Sequence, residues 1–184
     1  MIARAFVHDP LLVHLLPTEE ARERLMTGHL SGLVRRYALG GEAWRTGDLA
    51  GVACWVAPGR DLPAGGPPGE QRARLVAAVG TAVAEAFDAV GAHAYEQRRS
   101  LGLPPHWYLA FLAVEPEHQG RGVGSALVAP VLARAEAAGE TCVLETFVER
   151  NVRFYERLGF AVRAECTAPV AGLTYWLMTR GPVA

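Results

Sequence analysis

At 184 residues the chain is long enough for one domain with a sizeable core. About half of it (51%) is apolar, which argues against a disordered segment, and a formal net charge of −1 gives no broad basic field for non-specific nucleic-acid binding. No apolar stretch is long enough to span a membrane and no signal-peptide cleavage pattern follows the partly apolar start, so a soluble, cytoplasmic protein is expected.

The N-terminal third reads as helix. Residues Ile2 to Val7 form a short element, and Asp9-Pro10 opens a second with Pro10 at its first position. Thr18, followed by Glu19 and Glu20, marks the start of a longer pattern to Tyr37, with Leu25, His29, Leu33 and Val34 at helical spacing. The period then changes. Ala43 to Arg45 and Leu49 to Ala57 read as strands joined by the turn cluster Thr46-Gly47-Asp48. Residues Pro58 to Gly69 are rich in Pro and Gly and are expected to form an irregular loop. Glu70 to Val90 carries Leu75, Val79, Val83 and Phe87 at four-residue steps and is expected to be one helix.

The second half begins with His106 to Val114, an almost unbroken apolar run expected of a central strand buried on both faces. A glycine-rich loop follows, then a helix over Gly122 to Ala138, in which Pro130 is expected to produce a bend. Thr141 to Phe147 reads as a strand and Asn151 to Leu158 as a short helix ended by Gly159. Phe160 to Cys166 and Leu173 to Met178 complete a mixed α/β sheet in one domain. The three cysteines lack disulfide or zinc spacing, and Cys54 and Cys142 read as small buried hydrophobes. The six histidines show no metal spacing, so no metal is expected.

The loop carries the chemistry. The strand ends at Val114, Pro116 stops it, and Gly120, Gly122 and Gly124 open the next helix. Glycines permit positive φ and close backbone approach to a ligand. The first N–H groups of a helix have no internal partner, and the macrodipole places positive potential there. Together these make an anion site suited to phosphate or pyrophosphate, with Arg121 adding a fixed charge. The spacing is neither the Gly-x-Gly-x-x-Gly of dinucleotide folds nor a P-loop. Read alone, its alternative is a tight turn needed for helix packing.

The segment HQGRGVGSAL, preceded by FLAVEPE and followed by RNVRFYERLGF, resembles the core of the GNAT acetyltransferase superfamily over residues 43 to 178. Gln119, Gly122 and Gly124 match that family's pyrophosphate motif. Within it the chain is most similar to the puromycin N-acetyltransferase group. The resemblance implies a single acetyltransferase domain over 1–184, with a mixed, mostly antiparallel sheet flanked by helices. It implies acetyl-CoA as cosubstrate and transfer of its acetyl group to a small-molecule amine by direct attack in a ternary complex. Leu112, Ala113 and Val114 would offer backbone groups to the pantetheine arm. The loop Gln119, Gly120, Arg121, Gly122, Val123, Gly124 and Ser125 would hold the phosphates.

Tyr155 matches the tyrosine of the family's second motif, where the expected role is general acid to the departing thiolate. Its alternative is a tyrosine packed between helix and sheet. Asn151, one turn earlier, either contacts the cofactor or caps the helix. The asparagine that many relatives carry seven residues before the tyrosine is Val148 here. An alkylammonium titrates near ~10, so the attacking amine needs a base. Glu145, a carboxylate in an apolar strand, is the candidate, with a structural ion pair or a contact to a backbone amide as its alternative and water relayed from a distant carboxylate as another route. His106 and His118 flank the central strand and its loop, and each is either a substrate contact or a plain surface residue, with the surface reading favoured. The family begins with a strand that this chain lacks before Ile2, so either the sheet is missing that edge or the start lies downstream of the true one. An unpaired edge would favour a homodimer. A catalytically idle acyl-CoA-binding module and an acetyltransferase of protein amines are the competing readings.

Overall fold

A computed structural model describes residues 2–26, 31–60, 69–170 and 172–182. Its centre is a six-stranded sheet built from β1 (Glu42–Arg45), β2 (Gly51–Val56), β3 (Trp107–Val114), β4 (Cys142–Thr146), β5 (Ala161–Thr167) and β6 (Thr174–Arg180). The order across the sheet is β1-β2-β3-β4-β6-β5. Only the β3–β4 pair is parallel; every other neighbour is antiparallel. Among the described residues no strand precedes β1, which is an edge of the sheet.

Four helices come first: α1 (Ile2–Phe6), α2 (Pro10–Leu15), α3 (Glu19–Leu25) and α4 (Ser31–Gly40). The Asp9 side chain accepts from the N–H groups of Leu11 and Leu12, and the Thr18 hydroxyl accepts from that of Ala21, as capping chemistry predicts. The pattern expected as helix from Thr18 to Tyr37 is helical over α3 and α4, and His29 lies outside the described residues. Most of the expected loop at Pro58 to Gly69 lies outside them too.

The helix expected over Glu70 to Val90 is broken. Helix α5 (Glu70–Val79) ends at Gly80, whose φ of 82° and ψ of 164° no helix accommodates, and α6 (Thr81–Ser100) then runs ten residues past the expected end. A glycine inside a helical pattern costs only about 1 kcal/mol, so the pattern alone gives no break. Residues 57–106 thus form a long excursion between β2 and β3, antiparallel neighbours that a tight turn would join. Helix α6 crosses the sheet, and Val90 and Ala94 pack with Phe147, Cys166 and Tyr175 over β4, β6 and β5.

On the opposite face lie α7 (Val123–Ala138) and α8 (Glu149–Glu156). Their core joins Leu127, Val128, Val131 and Tyr155 to Ala53, Trp55, Trp107, Leu109 and Leu144. Helix α7 is continuous through Pro130. Gly51 lets it approach the sheet: a Cβ there would stand 2.7 Å from Leu127 Cδ1 and 3.1 Å from Val123 Cγ1. The three cysteines are free and buried, and burial pushes Cys54 up to about 11 and Cys142 up to about 12.

Candidate active site

Strand β3 is irregular where the site begins. Leu109 pairs with Trp55 and Phe111 with Cys54, which leaves Ala110 as an extra residue. The bulge inverts the side-chain alternation. Trp107 and Leu109 face the α7 layer, and so do Leu112 and Val114, while Phe111 and Ala113 face α1 and α4. A regular strand, with a period of two, would have put 111 and 113 with 107 and 109.

Beyond the bulge β3 separates from β4. Their pairing stops after Tyr108↔Val143, so the β4-facing backbone of the rest of β3 has no strand beside it. The Glu115 N–H donates to the Ala50 carbonyl, which fixes the alternation: Ala113 faces β2, and Leu112 and Val114 present their backbone groups to the gap. Of the three residues expected to meet the pantetheine arm, two are placed to do so, while Ala113 is buried with Val52 and Cys54. The Val114 carbonyl currently accepts from Gln119 Nε2 at 3.0 Å. The gap is therefore a slot in the sheet with hydrogen-bonding groups along one wall.

The glycine loop closes one end of this slot. A short 3₁₀ turn (Pro116–His118) leads into it. Gly120 and Gly122 have φ of 73° and 83°, and a Cβ on either would meet nothing within 4 Å. Glycine is needed there for its conformation, and the space above stays open for a ligand. Gly122 is the N-cap of α7, and Ala126 N–H is the first to bond back into the helix, to the Gly122 carbonyl at 3.0 Å. The N–H groups of Val123, Gly124 and Ser125 are left without an intrahelical partner. A Cβ on Gly124 would sit 3.3 Å from the Phe154 ring, which ties the loop to α8. Arg121 is exposed beside it.

Tyr155 and Glu145 flank the slot from opposite faces. Tyr155 rises from α8, 7% exposed, with its ring between Phe154 at 5.0 Å and Phe160 at 5.8 Å. Burial alone raises its pKa well above the usual phenol range; no hydrogen bond or charge contributes. Glu145 stands on the α6 side of β4. Its Oε1 accepts from Arg98 Nη1 at 2.5 Å, with both side chains largely buried. The Arg98 guanidinium lies 3.9 Å from the centre of the Tyr108 ring. Burial raises the pKa of Glu145, and Arg98 and Tyr108 hold part of that rise back. The anticipated ion pair at Glu145 is thus present, in a carboxylate that also borders the cavity.

One cavity of about 1520 Å³ runs from the glycine loop, through the slot, to the space beneath α1, α2, α5 and α6. It exceeds the roughly 300–1,000 Å³ of a pocket for one drug-sized molecule. Tyr155, Glu145, Asn151, Leu112, Val114, Gln119, Gly120 and Gly122 through Ser125 all border it, whereas Ala113 and Arg121 do not. Asn151 does not cap α8, because the N-cap position is Val148, whose N–H donates to Thr146 Oγ1 at 3.2 Å. His106 Nδ1 is hydrogen-bonded to the Pro104 carbonyl at 2.9 Å. His118 borders the cavity with a buried Nδ1 that has no partner, contrary to its reading as a surface residue. Sequence reasoning missed Arg98 and Tyr108. Arg98 sits in the charged run Glu96 to Arg99, which looks like a solvated helix end, and its partner is 47 residues away.

The acetyltransferase (GNAT) family model matches residues 16–160. The chain belongs to the GNAT acetyltransferase family. Enzymes of this family are acetyl-CoA-dependent N-acetyltransferases, and this sheet with its flanking helices is the GNAT fold. An uncharacterised N-acetyltransferase of Schizosaccharomyces pombe is 25% identical over 171 residues, covering 85% of this chain and 66% of that protein. This GNAT chain therefore spans just under two thirds of the yeast relative. A Corynebacterium glutamicum crystal structure described as histone acetyltransferase HPA2 and related acetyltransferase superposes with a TM-score of 0.63 at 25% identity, over 99% of this chain and 87% of that one. Arylalkylamine N-acetyltransferase 2 of Aedes aegypti shares the fold, with a TM-score of 0.61 at 14% identity, over 98% and 90% of the two chains. Acetyl-CoA as cosubstrate fits the donors present: free N–H groups for phosphate at α7 and an open strand edge for an amide-bearing arm. Among the described residues no group of three or more His, Cys, Asp or Glu could hold a metal ion, and no helix is long and apolar enough to cross a membrane.

Proposed function

We propose that residues 1–184 form one acetyltransferase domain that moves the acetyl group of acetyl-CoA to the amine of a small molecule within a ternary complex. The observation that carries this reading is the slot with a candidate acid on one face and a candidate base on the other, in a single cavity. The N–H groups of Val123, Gly124 and Ser125, with the Gln119–Gly122 loop and Arg121, hold the diphosphate. Leu112 and Val114 bind the pantetheine arm through their backbone, and Asn151 faces the same space from α8. A backbone N–H of this stretch stabilises the oxyanion that develops on the thioester carbonyl.

On the α6 side, Glu145 takes a proton from the acceptor's ammonium. The neutral nitrogen attacks the thioester carbonyl carbon, the carbon–sulfur bond breaks, the Tyr155 hydroxyl gives its proton to the leaving sulfur, and the second proton that the nitrogen sheds as the amide forms restores the phenol. A thiol normally titrates near ~8.5, and its anion rises further in apolar surroundings, toward the raised phenol opposite it. That narrows the gap the proton must climb.

The long, walled acceptor space supports a small amine over a folded protein segment, and the similarity to the puromycin-acetylating group puts aminonucleosides first among amines to test. A cytoplasmic location and a homodimer paired through an exposed sheet edge complete the reading. The test is CoA release with acetyl-CoA and a panel of amines that includes puromycin and peptide N-termini, with products read by mass spectrometry. Turnover of a small amine, abolished or strongly reduced in Tyr155→Phe, is the expected result. CoA binding without turnover of any amine would make the chain an idle acyl-CoA module, and turnover confined to peptides would move it to protein acetylation.

A further inference from the structure

The base assigned to Glu145 does not stand alone. It borders the cavity, while Arg98 stands behind it on α6 and is not part of the cavity wall. The two side chains are 8% and 15% exposed, so water screens their 2.5 Å contact little. Arg98 is itself fixed. Its guanidinium is stacked 3.9 Å from the Tyr108 ring centre and reaches Tyr95 at 5.6 Å. An arginine held this way loses little further freedom in gripping a carboxylate. The element that supplies it is the excursion between β2 and β3, which has no part in the sheet or in the phosphate loop.

The other groups around the carboxylate are phenols: Tyr108 from β3, Tyr37 from α4 and Tyr175 from β6. Burial pushes all three above the usual phenol range, so each stays neutral at ordinary pH. Tyr175 is hydrogen-bonded to His93 of α6 at 3.0 Å, which places that imidazole one group further out. Among the described residues Arg98 is a cation in direct contact with the carboxylate.

We infer that Arg98 is the positioning residue for the proton-accepting step: it orients the Glu145 carboxylate toward the acceptor and keeps it ionised in a buried site. The inference rests on the assignment of Glu145 as base. Without the guanidinium the carboxylate would remain desolvated with only Tyr108 to support it, and it would take up a proton at higher pH. The sign follows directly. A base is active when deprotonated, so the acidic limb of the activity profile moves to higher pH when Arg98 loses its charge.

The experiment is the pH profile of kcat/KM for wild type, Arg98→Gln and Arg98→Lys with one small amine. The amine's own titration is common to all three and cancels in the ratio of variant to wild type. For Arg98→Gln the limb is expected to move up by about 1–3 pH units, the usual effect of an adjacent opposite charge. The ratio then falls roughly 10- to 1,000-fold on the acid side and recovers toward higher pH. Arg98→Lys keeps the charge but loses the planar stack, so it should shift the limb by less and restore most of the rate. If Arg98→Gln does not fold, Arg98→Lys decides the matter. A folded variant whose activity falls equally at all pH, with the limb in its wild-type place, would mean that Arg98 only supports the structure. Glu145→Gln separates the two ideas. If it leaves the wild-type limb in place, the base assignment itself fails; if it removes the limb while the Arg98 variants leave theirs unmoved, only the role of Arg98 fails.

Discussion

Replacing Tyr155 by phenylalanine removes one oxygen and keeps the ring that packs against Phe154 and Phe160. Burial is the sole influence on the hydroxyl, so its loss strands no hydrogen-bond partner in the protein. Stability should therefore change by no more than about 0.5 kcal/mol, whereas Tyr155→Ala would open a cavity costing about 3–5 kcal/mol. Turnover responds differently. A positioned general acid contributes about 10²–10⁴-fold, and a thiolate is a tolerable leaving group, so the lower end applies. The expected loss in kcat is about 100-fold, or roughly 2.7 kcal/mol on the barrier. Because the phenol titrates far above neutrality, it stays protonated between about pH 6 and pH 9, and the loss should be the same across that range. CoA release measured with a thiol reagent, beside urea unfolding of both proteins, tests this. A kcat reduced less than about threefold at unchanged stability would remove Tyr155 from the chemistry.

Three further outcomes are expected. Gly122→Glu places a charged side chain where φ is 83° and the space is open, so acetyl-CoA affinity by calorimetry should fall at least about 100-fold; retained affinity would mean that the phosphates bind elsewhere. Gly51→Ala forces a Cβ to within 2.7 Å of Leu127 and should lower stability by about 1–3 kcal/mol in urea unfolding while loosening α7; a loss below about 0.5 kcal/mol would show that the helix can move aside freely. Arg4 holds the Glu115 carboxylate below the usual range, so the stabilisation exists above the unfolded-state pKa of Glu115 and disappears as pH falls through its depressed folded value. Arg4→Gln should accordingly melt below wild type at pH 7, with the deficit shrinking as the pH falls through the acid range; an equal deficit throughout would assign the effect to packing.

The glycine-loop end of the candidate site is legible in the sequence because it is made of consecutive residues with strict backbone needs. Gly120, Gly122 and Gly124 between an apolar strand and a helix leave few other arrangements, and Tyr155 follows within one short motif. The slot is less legible. Nothing in HWYLAFLAV marks Ala110 as the extra residue, because both faces of β3 are apolar and an inverted alternation leaves the composition unchanged. That is why Ala113 reads as equivalent to its neighbours and is not. The far end of the cavity is least legible. Its walls come from α1, α2, α5 and α6, and the Arg98–Glu145 pair joins residues 47 apart with no local signal. The break at Gly80 belongs to the same class, since tertiary packing chooses between a continuous helix and two that turn back over the sheet.

The excursion over residues 57–106 also bears on how fast the chain folds. Strands β2 and β3 lie together in the middle of the sheet, with Val56 opposite Tyr108, yet some fifty residues separate them along the chain. Closing that span costs about 3 kcal/mol more loop entropy than a two-residue turn, roughly a hundredfold in rate if the pair forms in the transition state. The backbone hydrogen bonds of helices α5 and α6 are local and form within microseconds. Once formed they shorten the flexible part of the span, so the tempo of sheet closure is set by helix stability in a segment outside the sheet.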